Sequence, residues 1–294
     1  MKLFIPILFL LSACDKNPTQ QPPDPPGGDK FAKVPEGFVP SQPILEASGI
    51  ADSRTIDDHL WVLEDSGNPP QLFLMKHQGF VTDSFFVAGA TNRDWEDIAV
   101  GKGPDNSRSY IYVGDIGDNN SQYATCTIYR IPEPTSFAED TITVFDKIEF
   151  AYPDGAHDAE ALLVDDASLD IYVITKRDAQ SKVYRIPYPQ NTGAVNQAEF
   201  VEDLSFTGVV SAAVSSSGKE VILKTYTNLF YYSRGAQESF AETFGKTPAD
   251  TLAYQLEPQG EAVSFASDNS GFFTYSEKGL STDAPQLLFY RRLN

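Results

Sequence analysis

A five-residue motif occurs five times along this chain at steps near fifty residues, and few architectures have such a period. It reads Ala47-Ser48-Gly49-Ile50-Ala51, Trp95-Glu96-Asp97-Ile98-Ala99, Ala159-Glu160-Ala161-Leu162-Leu163, Ser211-Ala212-Ala213-Val214-Ser215 and Gly260-Glu261-Ala262-Val263-Ser264. Aligned on the second residue, the copies put Ser48, Glu96, Glu160, Ala212 and Glu261 in one column, at steps of 48, 64, 52 and 49 residues. After each copy come a turn and an apolar-alternating run, at 59–63, 110–113, 170–174, 220–223 and 271–275. A third set follows at 71–74, 127–132, 182–187, 229–232 and 286–290. Period-two alternation bounded by Gly, Pro, Asn and Asp reads as half-buried strands.

Three to four short strands recurring about every fifty residues are the pattern of a β-propeller. The chain therefore reads as all-β with five blades. A sixth stays open, because the 64-residue step contains 141–150 and has room for an irregular unit. The last unit runs out after its third strand at Arg292, so the N-terminal segment 38–44 is expected to supply an outer strand and close the ring. A β-sandwich does not account for a motif that returns at near-equal steps.

Ahead of the repeats, residues 1–13 carry one Lys, an apolar stretch and two small residues, which reads as a lipoprotein signal peptide. Leu11-Ser12-Ala13-Cys14 resembles the bacterial lipobox. That resemblance implies cleavage before Cys14, lipid on Cys14, and anchorage in a bacterial cell envelope at its periplasmic face or on the cell surface. Residues 14–30 are rich in Pro and Gly and read as a tether of roughly 50 Å, leaving 31–294 as the propeller domain. With Cys14 lipidated, Cys126 has no intrachain partner. It sits in an alternating run and reads as a buried strand thiol.

Formal charge is −19, from 41 acids against 22 bases. Such a field repels phosphate backbones, so nucleic acid is excluded as a partner and anionic headgroups are disfavoured. Cations and cationic ligands are favoured. The expected partners are the membrane through Cys14 and a small-molecule or protein ligand, bound by a monomer.

Innermost propeller strands line a central channel, so Glu96, Glu160 and Glu261 are expected to face one another there. Crowded carboxylates raise each other's pKa values unless a cation neutralises them, and hard oxygen donors suit Ca²⁺. Asp115 is a fourth candidate ligand. The competing reading has these acids accepting backbone hydrogen bonds and pairing with Lys176, Arg177 or Lys224. Strand ends add Asp65, Asp118, Asn119, Arg177 and Glu277 at one mouth as candidate ligand-binding residues. Trp95, beside acids, is either a ligand platform or a packing residue between blades. The chain has no GxSxG elbow, no HExxH, no phosphate-cradling glycine loop and no paired Cys for zinc. His157, just before Asp158 and Glu160, is a candidate general base, although a polar residue at a strand start is the commoner role for such a His.

The runs EASGIAD at Glu46, NRDWEDIAV at Asn92, YVGDIGDNN at Tyr112, HDAEALLVD at His157, YVITKR at Tyr172 and GEAVSF at Gly260 resemble a group of secreted or lipid-anchored bacterial propellers. That group is distantly similar to the SdiA-regulated and phytase-like (esterase-like) propeller families, and the likeness covers nearly all of residues 40–290. It implies five or six blades, with calcium in some members. It also puts Glu96, Glu160, Glu261, Asp115, Lys176 and Glu277 on the family pattern. One blade departs: Val210-Ser211-Ala212-Ala213 stands where relatives tend to read threonine-glycine-alanine-aspartate, so one acid is missing.

Two functions follow. The preferred one is an envelope-anchored ligand- or partner-binding module with Ca²⁺ in its channel, which needs no catalytic residue. The alternative is a Ca²⁺-dependent hydrolase of esters or phosphoesters, similar to phytases or lactonases, with His157, Glu160 and Lys176 handling protons.

Overall fold

The strands arrange themselves as the alternation requires, in five sheets packed face to face around an axis, each with four antiparallel strands and two with a short parallel strand added. A computed structural model describes residues 30–138 and 140–293; the signal peptide, Cys14 and the tether up to residue 29 lie outside them. From the axis outward, blade one is Ala47–Asp52, His59–Glu64, Gln71–Lys76 and Val81–Val87. Blade two is Trp95–Lys102, Ser109–Asp115, Cys126–Pro132 and Asp146–Ala151. Blade three is Ala159–Val164, Ile171–Thr175, Lys182–Ile186 and Glu199–Asp203. Blade four is Val209–Val214, Glu220–Thr225, Leu229–Ser233 and Asp250–Leu252, and blade five Ala262–Phe265, Gly271–Tyr275, Leu287–Arg291 and Glu36–Phe38. Among the described residues no helix is long and apolar enough to cross a membrane.

There are five blades, and the long step holds no sixth. Its residues Thr141–Ile142 return to blade one and pair in parallel with Val81–Val87, while Asp146–Ala151 completes blade two. Asn196–Gln197 likewise reaches back to blade two in parallel. The extra length thus laces neighbouring blades together. The ring closes through an N-terminal strand, but through Glu36–Phe38 rather than 38–44, pairing with Leu287–Arg291. The reason is chemical: Pro40 and Pro43 have no N–H to donate to a ladder.

In four blades the innermost strand slips by one residue against its neighbour, and the skipped residues are Ser48, Glu96, Glu160 and Val210. A bulge of this kind kinks a strand and re-aims a side chain. It corrects the column read from sequence. Val210, not Ala212, is the blade-four counterpart of Glu96 and Glu160, and the last two steps become 50 and 51 residues.

Hydrophobic clusters fill the gaps between blades. Trp95 belongs to one of them, fully buried with Trp61, Ile98 and Tyr129, its indole N–H donating to the Thr91 carbonyl at 2.9 Å. It is a packing residue with no surface to offer a ligand. Cys126 is a buried strand thiol, pushed up to about 11 by burial, which keeps it as a thiol at neutral pH.

Innermost strands have one edge with no ladder partner, and its amides need acceptors. The residue after the bulge is small in blades one, three and four, as Gly49, Ala161 and Ser211, but is Asp97 in blade two. Its fully buried carboxylate accepts from Leu162 N at 2.9 Å, Ala212 N at 3.2 Å, Ile98 N at 3.0 Å and Ser211 Oγ at 3.1 Å. Ser211 Oγ in turn accepts from Val263 N at 3.2 Å, and Ser48 Oγ donates to the Trp95 carbonyl at 2.9 Å. All five blades are thereby joined at the axis. Gly49 permits the approach, since a Cβ there would lie 2.9 Å from Ile98 N.

Asp97→Ala leaves four donors without their acceptor, at about 1–3 kcal/mol for each one that stays unsatisfied. Because such costs do not add fully, we expect a total loss of about 3–5 kcal/mol in denaturant-unfolding stability. A loss under about 1 kcal/mol would show that the axial carboxylate does not hold the ring together.

Candidate functional site

The bulges send Glu96 and Glu160 toward the mouth where the innermost strands begin, and Glu261 precedes its strand at the equivalent place. They do not form one symmetrical ring. The mouth divides into a half in which the charges are paired and a half in which they are not.

In the paired half, Lys176 follows the second strand of blade three. Its ammonium donates to Glu160 and, at 3.0 Å, to Tyr226 Oη, and lies 3.7 Å from Glu261 Oε1. Tyr226 donates to Glu261, and Gln259 donates to Glu277 at 3.0 Å. Burial alone would lower the Lys176 pKa; contact with Glu160 more than reverses this and keeps the amine charged. Burial brings Glu160 up to about 8 in spite of Lys176. Burial and then repulsion from Glu261 push Glu277 up to about 9.

The unpaired half joins blades one and two. Oxygens of Asp65, Asp94 and Glu96 lie within 4.8 Å of one another. Burial and neighbouring acids raise all three, Asp65 to about 6 and Glu96 well above the carboxylate range. Glu96 is 6% exposed, and its carboxylate has no hydrogen bond or ion pair among the described residues. A buried acid without a partner is costly, and a cation would relieve that cost.

The local sequence explains how these oxygens are brought together. Asp115 accepts from Arg93 N at 3.2 Å and Asp94 N at 2.8 Å, while Ile116 N and Gly117 N both donate to the Asp94 carbonyl at 3.2 Å. Asp115 therefore builds the loop that carries Asp94, and its side chain stands outside the cluster. Gly117 leaves room for the two carboxylates: a Cβ there would sit 2.2 Å from Glu96 Oε1 and 2.4 Å from Asp94 Oδ2, so a larger residue would displace both side chains.

Other expected site residues take structural places around the mouth. Asp118 accepts from Gln122 N and Tyr123 N at 2.7 Å each, as an Asx-type turn does. Arg177 bridges Asp158, at 2.5 Å, to Asn119. His157 lies against Asp178 and Asp154, both at 3.1 Å, and Tyr184 at 2.9 Å, so its contacts are with blade three and its approach loop rather than with Glu160. Lys224 is fully buried against Tyr254 and Glu257.

Sequence reasoning left Asp94 and Tyr226 out of the site. Asp94 had a signal, an acid two residues before a bulge glutamate. Tyr226, in a turn between strands, had none.

The raised carboxyls set the sign of a pH effect. Asp65 and Glu277 hold protons in the folded chain at pH values where the unfolded chain has lost them, so stability falls as pH rises from about 4 to about 9. Thermal midpoints in chelator should decline across this window, and Glu277→Gln should flatten the alkaline part. A midpoint that rises with pH would contradict the assignment.

No family model matches the chain, and no curated protein matches it in sequence. Among solved structures it is similar to a luciferin-regenerating enzyme, with a TM-score of 0.50 and 10% identity over 88% of this chain and 96% of that one. It is similar also to a chain of a nidogen/laminin complex, with TM-score 0.46 and 11% identity over 78% and 72%. A third is the Dos1 propeller, with TM-score 0.38 and 10% identity over 83% and 68%. At these identities the likeness is one of fold, and the fold is the β-propeller.

Proposed function

We propose that this protein is an envelope-tethered binding propeller whose acidic mouth holds a hard divalent cation, Ca²⁺ first, on Asp65, Asp94 and Glu96. The observation that carries this is Glu96, buried, unpartnered, and within 4.8 Å of two further carboxylate oxygens. Oxygen-only donors with several negative charges suit Ca²⁺ or Mg²⁺ rather than softer metals. When bound, such a cation supplies positive charge and open coordination positions to a carboxylate, phosphoryl or carbonyl oxygen of a ligand. Lys176 and Tyr226 hold Glu160 and Glu261 on the other side of the mouth, which leaves Asp65, Asp94 and Glu96, none of them in an ion pair among the described residues, to meet the ion. The tether through lipid on Cys14 belongs to the same proposal.

A hydrolase is the second reading, and one observation favours it. Glu160, raised to about 8 beside Lys176, can exchange a proton near neutrality. His157 is held by Asp154, Asp178 and Tyr184 and makes no contact with Glu160, so the proton exchange in this reading falls to Glu160 and Lys176. The luciferin-regenerating enzyme adds only that an enzyme can be built on this fold.

Calorimetric titration of Ca²⁺ into the chelator-treated chain should show saturable binding, weakened at least about tenfold in Asp94→Asn and in Glu96→Gln, the loss of roughly one buried charge contact. A wild type without heat of binding overturns the cation. Turnover of an ester panel that vanishes in Glu160→Gln would move the case to the hydrolase. For the tether, Cys14→Ala should abolish fatty-acid incorporation and release the protein from membranes; label retained in the variant refutes the anchor.

A further inference from the structure

Below Asp97 the channel opens toward the opposite face. The turns that link first and second strands surround a cavity of about 650 Å³ there, which continues into a shaft of about 60 Å³ between the innermost strands. The larger volume falls in the range of small-molecule sites.

Two carboxylates at this mouth are already neutralised. Asp165 accepts from Arg234 at 2.8 and 3.3 Å, and Asp166 accepts from Arg54 Nη1 at 2.6 Å and Lys102 N at 2.7 Å. Three cations keep donors in reserve. Arg54 uses Nη1 alone, leaving Nε and Nη2 without a hydrogen bond among the described residues. The ammonium groups of Lys102 and Lys219 have no carboxylate within 4.0 Å among the described residues. These three side chains come from blades one, two and four, and all line the same cavity. Opposing them is one exposed acid without a cation partner, Asp57. In a chain of formal charge −19, a cavity lined by four cations and three carboxylates is a local reversal of sign.

We propose that this lower mouth binds the phosphomonoester group of a small soluble ligand, with Arg54, Lys102 and Lys219 as its donors. Such a group carries about −1.5 to −2 charge at neutral pH and three acceptor oxygens. The open edge of the Arg54 guanidinium suits paired donation to two of them, and the ammonium groups act as compact charges on the remainder. Extended polyanions and anionic bilayers meet the field of the whole chain. A small anion inside the cavity lies within a screening length, about 8 Å, of its donors and senses them first. The proposal shares no residue with the cation site and stands or falls separately.

The test titrates the full chain with inorganic phosphate at low ionic strength. Saturable binding is expected, weakened about two- to fivefold in Lys102→Gln and in Lys219→Gln, and tightened by a similar factor in Asp57→Asn. All three residues are exposed, so the variants fold, and opposite signs on one readout separate binding from damage. Absence of saturable binding overturns the proposal. So does an affinity indifferent to all three substitutions, and so does attachment to phosphatidylglycerol vesicles without binding of phosphate.

Discussion

A sheet edge facing its own neighbours across an axis is the constraint on which this molecule depends. Five innermost strands arrive there with unpaired amides, too close together for bulk water to serve them. The Asp97 carboxylate supplies four acceptor contacts at that point, and Ser211 extends them to the fifth blade. Burial raises the Asp97 carboxyl well above its usual range in spite of these bonds, so the ring is joined through a group that is itself expensive to bury. Small residues in blades one, three and four at the matching position make the room for it.

That knot also divides the channel into two chambers of different chemistry. Above it, carboxylates outnumber the cations that could answer them, and Glu96 is left with none. Below it, Arg54 and Arg234 already neutralise Asp166 and Asp165, and Lys102 and Lys219 are in surplus. One barrier thus allows a strongly acidic chain to keep a chamber with cations in surplus a short distance from an acidic one. Neither chamber needs a catalytic residue to explain its charge.

Particular elements show how far the sequence could be read. Bulge acids Glu96 and Glu160 were visible as a repeating motif because a bulge recurs at a fixed place in each blade and pairing is local. The blade-four copy was misaligned by two residues because Val210 is apolar and the small residues Ser211, Ala212 and Ala213 match the motif equally well. Trp95 stood beside acids in sequence yet packs away from them, since successive strand residues face opposite sides. Asp115 looked like a ligand and instead shapes the loop that presents Asp94. His157 looked close to Glu160, three residues away, but its side chain is held by the loops of its own blade.

By itself the sequence determined the all-β class, the five-fold repeat and the closing role of the N-terminal segment, because alternation, turn residues and period are properties of short stretches. Tertiary structure alone decided which charges meet. Asp65, Asp94 and Glu96 come from two blades, and Arg54, Lys102 and Lys219 from three, so their approach depends on ring closure and on the side chains packed between blades. Spacing along the chain carries no record of those distances.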